Sequence, residues 1–280
     1  MINVENKKPS VRLSKYIRKI SIFTSNDDIK FRHKLTPSAF TYLSYNHEII
    51  PISILGRKKV RPVQRLMIAG PKIHENIYVE YDGKLKQILI EFTAFGFYYL
   101  FHKSPTPLLN ALYSLDKFSP VEINEKLEKE LKSSKNVEQQ IKAIEKFLLE
   151  KTFKALPDNN YINKSIELIE ENNGNIHIKN IADQINISEK QIERKFREVV
   201  GITPKQYSKI VQLHYVINLM NLKNYSSFQD IAFFADYYDL SHFSHRFKEL
   251  TGFSPTEFIN SDKHIAAKYF RDLISSKQSH

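Results

Sequence analysis

Residues 181–207 read IADQINISEKQIERKFREVVGITPKQY, and residues 231–258 read IAFFADYYDLSHFSHRFKELTGFSPTEF. They are one pattern written twice. With the segment from Ile187-Ser188 to Tyr207 set against the one from Leu240-Ser241 to Phe258, Phe196, Gly201, Thr203, Pro204 and Tyr207 meet Phe247, Gly252, Ser254, Pro255 and Phe258 at a constant offset (247 − 196 = 51). Upstream, Ile181-Ala182 meets Ile231-Ala232 at an offset of 50 (231 − 181), so the second copy carries one extra residue in its turn. A fixed period of this length marks one supersecondary unit repeated. Ala182 and Ala232 are small where two helices must cross closely, and Ile192/Phe196 and Phe243/Phe247 are i, i+4 anchors on the second helix of each unit. Gly201 and Gly252 stop those helices. Thr203-Pro204-Lys205-Gln206 and Ser254-Pro255-Thr256-Glu257 are capping boxes with Pro at the first helical position, and Ser188-Glu189-Lys190-Gln191 is a third. A long helix from Pro204 to about Asn221 is expected to join the two units rigidly.

Ile181-Ala182 with Ser188, Ile192, Arg194, Phe196 and Gly201-Ile202-Thr203-Pro204, then Ile231-Ala232 with Ser241, Phe243, Phe247-Lys248 and Gly252-Phe253-Ser254-Pro255, resembles the AraC/XylS family of bacterial transcription regulators. The resemblance covers about a hundred residues. It departs from the family at Asp236, where the turn usually holds Gly, and at His245, where Arg is common. Gly70-Pro71 and the stretch from Glu91 to Phe97 are more loosely similar to the sensor domains of that family. The resemblance implies a tandem helix-turn-helix reader of double-stranded DNA, activation through contact with RNA polymerase, and a small-molecule effector sensed by the N-terminal part.

On the first recognition helix the polar positions are Ser188, Lys190, Gln191, Glu193, Arg194, Lys195 and Arg197, and the family resemblance turns Lys190, Glu193 and Arg194 toward base edges. The chemistry fits, since Arg or Lys donates to guanine O6 and N7 while Glu accepts from cytosine N4. The competing reading is a solvated face with intrahelical pairs such as Glu193 with Arg197. On the second helix the corresponding positions are Ser241, His242, Ser244 and His245, with Arg246 and Lys248 meeting phosphate. His242 and His245 stand at i, i+3, but no third ligand of suitable type lies near them in sequence, so no metal site is expected.

The first part of the chain reads as β-rich. Ile77–Tyr81 and Lys84–Phe92 flank Asp82-Gly83, a two-residue hairpin signal. Phe40–Asn46, Ile49–Leu55 and Arg65–Ala69 are shorter strand candidates. Phe23, Phe31, Phe40, Tyr42, Tyr45, Phe92, Phe95, Phe97, Tyr98 and Tyr99 are expected mainly in the core, the alternative being the lining of a cavity for a small apolar molecule. From Ser119 the period becomes helical. Ser119-Pro120-Val121-Glu122 is a capping box followed by Ile123, Leu127 and Leu131; Asn136 then caps a second helix striped by Val137, Ile141, Ile144 and Leu148. That stripe must be covered, either by the β domain or by a second chain as a homodimer seam. The sequence thus implies an α+β chain. Residues 1–118 form a small antiparallel barrel or sandwich, a sensor domain. Residues 119–155 form a helical hairpin for dimerisation, 156–262 an all-α tandem helix-turn-helix domain after a linker at Leu156–Asn160, and 263–280 a polar tail.

Composition excludes several classes. Among 280 residues there are seven Gly and no Cys, and neither a GxGxxG nor a GxxxxGK[ST] motif. Disulfides, thiol nucleophiles and cysteine-bearing metal sites are therefore out, and with them the alkyl-transferring repair enzymes that carry a similar reader. No Ser/His/Asp arrangement or carboxylate pair stands out, so neither an enzyme nor a cofactor is expected. His33, His47, His74 and His102 are scattered, and Arg57–Arg61 with Arg65 reads as a solvated basic loop. The Met1–Ser10 segment has no signal-peptide core, and the longest apolar stretch, Ile88–Phe101, is interrupted by Glu91, so a cytoplasmic protein without a membrane span is expected. Net charge is +11, but residues 1–158 hold 27 Lys/Arg against 17 Asp/Glu (+10), leaving 15 against 14 (+1) for 159–280. The DNA-reading motifs lie in the neutral part, so bulk charge says little about them. A protein-interaction module that has lost DNA is the alternative function; the basic residues Lys190, Arg194, Lys195 and Arg246 argue against it.

Overall fold

A computed structural model describes residues 2–47, 52–55, 58–60, 64–73, 77–152, 160–222 and 227–260. Residues 49–51 of the strand candidate Ile49–Leu55, Arg57 and Arg61 of the basic run, His74, the linker at 156–159 and the tail at 263–280 lie outside them, while Lys58–Val60, expected as part of a solvated loop, is a strand paired with Ser53–Leu55. The chain divides into two compact units. The first comprises residues 1–32, 39–158 and 197–201, the second 33–38, 159–196 and 202–280.

The first unit is built on an eight-stranded sheet: β1 Ile2–Lys7, β2 Ile17–Lys34, β3 Tyr42–Asn46, β4 Ile52–Leu55, β5 Lys58–Val60, β6 Leu66–Ala69, β7 Ile77–Phe92 and β8 Leu112–Ser114. The spatial order is β1-β2-β7-β3-β6-β8, with β4 joining β7 and β5 joining β4. The pairs β1/β2, β3/β6, β3/β7, β4/β5, β4/β7 and β6/β8 are antiparallel. The hairpin expected at Asp82-Gly83 does not form. Residues 77–92 are a single strand whose first half pairs with β4 and whose second half pairs with β3, Gly83 taking a φ of 123° where the strand passes from one partner to the other. With β2 along one edge and β3 and β4 sharing the other, separate strands satisfy the backbone groups that a hairpin would have paired with each other.

Alternation assigns the faces. Leu43 and Tyr45 pair with Ile90 and Ile88 on β7, and with Ile68 and Leu66 on β6; all six are buried in one core with Ile20 and Ile22 of β2. The opposite face is also buried and is mixed: Ser21, Ser25, Ser44, Asn46, Gln87 and Glu91 share it with Phe23, Met67 and Leu85. Gln87 donates to Asn46 at 2.8 Å, the Ser25 hydroxyl accepts from the Leu85 amide at 2.8 Å, and Ser21 donates to Asn6 at 2.9 Å. Arg18 pairs with Glu91 while its guanidinium lies 4.5 Å from the Phe40 ring centroid.

The core is closed by helices α1 Gly96–Phe101, α2 Val121–Ser133 and α3 Val137–Thr152. Phe97 stacks on Phe101 at 4.9 Å and meets Phe92 and Phe118 edge-on, so Phe92, Phe97 and Phe101, with Tyr45, are core, while Phe95 and Tyr98 are half-buried. The expected capping box at Ser119 is not made. Pro120 occupies the N-cap of α2 without a side-chain bond, and Asn124 instead donates to Asp116 at 2.8 Å and to the Ser119 carbonyl at 3.2 Å. Asn136 does cap α3, accepting from the Gln139 amide at 3.0 Å. Ile141, Ile144 and Leu148, with Leu127 and Leu131, are buried in the same core as the sheet, and Val137 packs against it. The stripe read as a dimer seam is thus consumed inside the chain, because the sheet's apolar face needed a cover. Ile123, read as part of the α2 stripe, is instead exposed.

The second unit is helical: α4 Asn160–Glu171, α5 Ile178–Ile185, α6 Glu189–Val200, α7 Pro204–Leu222, α8 Phe228–Phe234, α9 Leu240–Thr251 and α10 Pro255–Asn260. The joining helix α7 matches its expected span, and at 1.5 Å per residue its 19 residues are roughly 28 Å long. Ile181, Ala182, Ile231 and Ala232 are buried where expected. Leu213, Val216, Ile217 and Met220 of α7 form one core with Ile231, Phe243, Phe247 and Phe258. Among the described residues no helix is long and apolar enough to cross a membrane.

Candidate nucleic-acid interface

Each recognition helix is set by the same local devices. Asn186 at φ 55° ends α5 in the left-handed region, and the Ile187 amide returns to the Ala182 carbonyl at 3.1 Å. In the second copy Asp236 stands at φ 56° and the Tyr237 amide returns to the Ala232 carbonyl at 2.9 Å. The Asp that replaces the family's usual Gly therefore adopts the conformation the turn demands, as Asp and Asn do more readily than other side chains.

Ser188 and Gln191 close a reciprocal capping box: the Ser188 amide donates to the Gln191 Oε1 at 3.2 Å, and the Gln191 amide donates to the Ser188 Oγ at 3.3 Å. At the head of α9 the cap is Asp239, which accepts from the His242 amide at 2.7 Å. This corrects the head of the alignment. Ser188 corresponds to Asp239 (239 − 188 = 51), not to Ser241, and the extra residue of the second copy is Tyr238. The reading positions are unaffected, since at this offset Lys190, Glu193 and Arg194 meet Ser241, Ser244 and His245.

Both helices are anchored from beneath. Ile192 and Phe196 are fully buried, and the Phe196 ring meets Tyr207 edge-on at 5.4 Å. The Tyr207 hydroxyl donates to Glu170 of α4 at 2.7 Å. Phe243 and Phe247 are buried likewise, Phe247 meeting Phe258 at 5.3 Å. Left-handed glycines end both, Gly201 at φ 89° and Gly252 at φ 86°, a conformation that costs a side-chain-bearing residue dearly. Thr203/Gln206 and Ser254/Glu257 then form the boxes expected at the starts of α7 and α10. The backbone and side-chain bonds from Ser254 hold the Glu257 carboxyl below its ordinary range.

With the apolar faces docked, the polar ones point outward. On α6 and its cap, Ser188, Lys190, Gln191, Glu193, Arg194 and Arg197 are exposed and Lys195 is half-buried. On α9, Ser241, His242, His245 and Lys248 are exposed, and Ser244 and Arg246 are half-buried. Arg246 pairs with Glu249 at 2.6 Å, and the His242 ring meets Tyr237 at 5.7 Å. Among the described residues no group of three or more metal-ligating side chains occurs. Sequence reasoning missed α4, the capping box of Ser227 with Asp230, and the Asp239 cap. It also missed an exposed apolar patch beside the second reader: Phe233, Phe234, Tyr238 and Leu240 are 79, 57, 93 and 40% exposed.

The model of the helix-turn-helix domain family matches residues 181–261, the segment that holds both recognition helices. Residues 181–261 are an AraC-type helix-turn-helix domain. The AraC-type domain makes this chain a DNA-binding transcription regulator. Among solved structures it is similar to ToxT from Vibrio cholerae, at 12% identity and a TM-score of 0.48, over 92% of this chain and 97% of that one. An apo form of a ToxT variant from Vibrio cholerae gives 11% identity and a TM-score of 0.49, over 90 and 98%. A transcriptional regulator with an AraC-type DNA-binding domain from Chromobacterium violaceum gives 20% identity and a TM-score of 0.35, over 38 and 95%. No curated protein matches the chain.

Proposed function

We propose that this AraC-type regulator is an effector-responsive activator that reads two adjacent major-groove segments with α6 and α9. The observation that carries the proposal is the repetition of one device: two capped helices, each pinned by a buried Phe, each presenting its first two turns to solvent. Lys190, Gln191, Glu193 and Arg194 supply base contacts from the first, with Ser188, Lys195 and Arg197 toward phosphate. Ser241, His242, Ser244 and His245 supply them from the second, with Arg246 and Lys248 toward phosphate. The length of α7, roughly 28 Å, suits readers placed about one helical turn apart on one face of the duplex.

The exposed patch at Phe233, Phe234, Tyr238 and Leu240 suits a protein and not DNA. Residues 227–240 carry Asp230, Asp236 and Asp239 and no Lys or Arg, which repels phosphate, and we assign contact with RNA polymerase to this patch. The effector belongs to the N-terminal unit. The buried face of its sheet that carries Ser44, Asn46, Gln87 and Glu91 beside Phe23, Met67 and Leu85 offers both polar and apolar groups to a small molecule.

Selection of duplexes from a random pool by the full chain tests the DNA reading. Replacing Arg194 with Ala is expected to cost about 1–3 kcal/mol on the selected site and to relax one base position. Equal loss on selected and random DNA would reduce Arg194 to a phosphate contact.

A further inference from the structure

The two readers differ in a way that has a chemical consequence. Where α6 places Gln191 and Arg194, α9 places His242 and His245 at the same register, and both imidazoles are exposed on the reading face. An arginine is always charged and offers guanine a permanent two-pronged donor. An imidazole offers one N–H and one bare nitrogen when neutral, and two N–H donors with a positive charge when protonated, the change falling ordinarily between pH 5 and 8.

We infer that the second helix-turn-helix is a proton-dependent reader, in which charging of His242 and His245 tightens DNA binding and strengthens the preference for guanine at the position that His245 faces. The inference rests on the DNA-binding reading above and adds the regulation of that site.

The charge balance makes the effect large for this chain. Residues 159–280 sum to +1, and within α9 Arg246 and Lys248 are offset in part by Glu249, whose carboxylate pairs with Arg246 at 2.6 Å. Two protonated histidines would take that half of the chain from +1 to +3, on the face turned to the phosphates. Among the described residues, the other titratable or charged groups on segments that share a core or contacts with α9 are Lys34, which donates to the Glu249 carbonyl, Lys205, Lys209, His214 and Tyr215 on α7, Asp230 on α8, and Glu257 on α10. The turn before α9 adds Asp236, Tyr237, Tyr238 and Asp239. Of these, Asp239 receives the His242 backbone amide and Tyr237 meets the His242 ring. Lys209 and His214 lie on α7, and among the described residues His242 and His245 are the imidazoles on α9.

The sign follows from linkage. A phosphate or a guanine O6 and N7 edge favours the charged imidazole, so DNA raises its proton affinity and the complex takes up protons as it forms. Binding therefore strengthens as the pH falls from 8 to 6, and that gain is lost again on the return.

The test uses the full chain and duplexes of roughly 30 base pairs, selected from a random pool at pH 6 and long enough for two half-sites one turn apart. Affinity for the selected duplex is expected to rise roughly tenfold or more from pH 8 to pH 6. A variant carrying His242→Gln and His245→Gln is expected to bind with the pH 8 affinity at both pH values, and His245→Arg to bind at pH 8 nearly as the unaltered chain does at pH 6. The latter should also keep its guanine preference at both pH values. An affinity that is the same at both pH values while specific binding is intact would overturn the inference alone, as would a pH dependence that survives in the double Gln variant. Failure of the pool to yield any site at either pH would overturn the DNA-binding reading, and this inference with it.

Discussion

Phe196 and Phe247 occupy one position of the repeat, and truncating each to Ala tests whether the two helix-turn-helix units are separately built. Both rings are buried to within 1% of full exclusion. Burying a Phe side chain is worth roughly 1.5–3 kcal/mol, and the cavity left behind brings the usual cost of Phe→Ala to about 3–5 kcal/mol. Phe196 loses an edge-on contact with Tyr207, whose hydroxyl holds Glu170 on α4; Phe247 loses Phe258 and Phe243. The lost ring contacts place both changes toward the upper part of that range. Phe247 belongs to a core with α7, α8 and α10, and Phe196 has no part in that cluster. The pair share no ring partner, so the double variant should show a coupling below roughly 0.5 kcal/mol by denaturant unfolding. Hydrogen exchange should then show Phe247→Ala opening α8 to α10 while α4 and α5 stay protected. A coupling above about 1 kcal/mol, or uniform loss of protection in both variants, would refute the separation and make the tandem domain a single cooperative block.

Three further outcomes follow from particular residues. Asp236→Gly relieves a left-handed aspartate at φ 56° and is expected to stabilise the second unit by up to about 1 kcal/mol, read as a rise in Tm with DNA affinity unchanged. Glu257, its carboxyl depressed by the bonds from Ser254, stabilises α10 above the ordinary carboxylate range; as the pH falls through the lowered value, that contribution should disappear. Glu257→Gln keeps an acceptor for the box and should flatten this acid limb in a pH-resolved unfolding series. Ile144→Ala, at a position buried in the core shared by α3 and the sheet, should cost about 2–5 kcal/mol with no change in sedimentation. A stable variant whose mass falls instead would restore the dimer seam.

The C-terminal half was legible because local rules and tertiary structure agree there. Ser188, Thr203 and Ser254 begin helices by bonding residues three positions on, Gly201 and Gly252 end them in a conformation few other residues take, and Phe196 and Phe247 lie where helical spacing puts them. The N-terminal half was less so, because its decisive pairings are distant in sequence. Asp82-Gly83 is a good hairpin signal judged alone, yet β3 and β4 claim the two halves of β7 from about forty-five and twenty-five residues away, and nothing local announces that competition. Ser119 likewise offers a cap by pattern, but Asp116 and Asn124 draw the local hydrogen bonds elsewhere. The stripe on α3 was visible as a stripe; only the apolar face of the sheet decides what covers it.

The same contrast bears on the site. The anchors of the two readers stay apolar, with Phe196 repeated as Phe247 and Ile192 replaced by Phe243, while the residues they present change in kind: Lys190, Gln191, Glu193 and Arg194 on one helix, Ser241, His242, Ser244 and His245 on the other. Packing holds the buried positions apolar and matched in volume to their own surroundings, since a changed volume costs several kcal/mol whatever the DNA beneath. The exposed positions carry no such cost and are free to follow the base edges they meet. A chain with similar scaffolds and unlike readers is therefore built for an asymmetric site, with the first half-site read by charged side chains and the second by serines and imidazoles. Exchanging the two sets, Lys190, Gln191, Glu193 and Arg194 for Ser, His, Ser and His and the reverse, should leave the Tm within about 1 kcal/mol of its stability equivalent. The order of the two half-sites in DNA selected from a random pool should then invert. Selection of the original order by the exchanged chain would mean that orientation is set elsewhere in the protein, and that these eight side chains do not read the sequence.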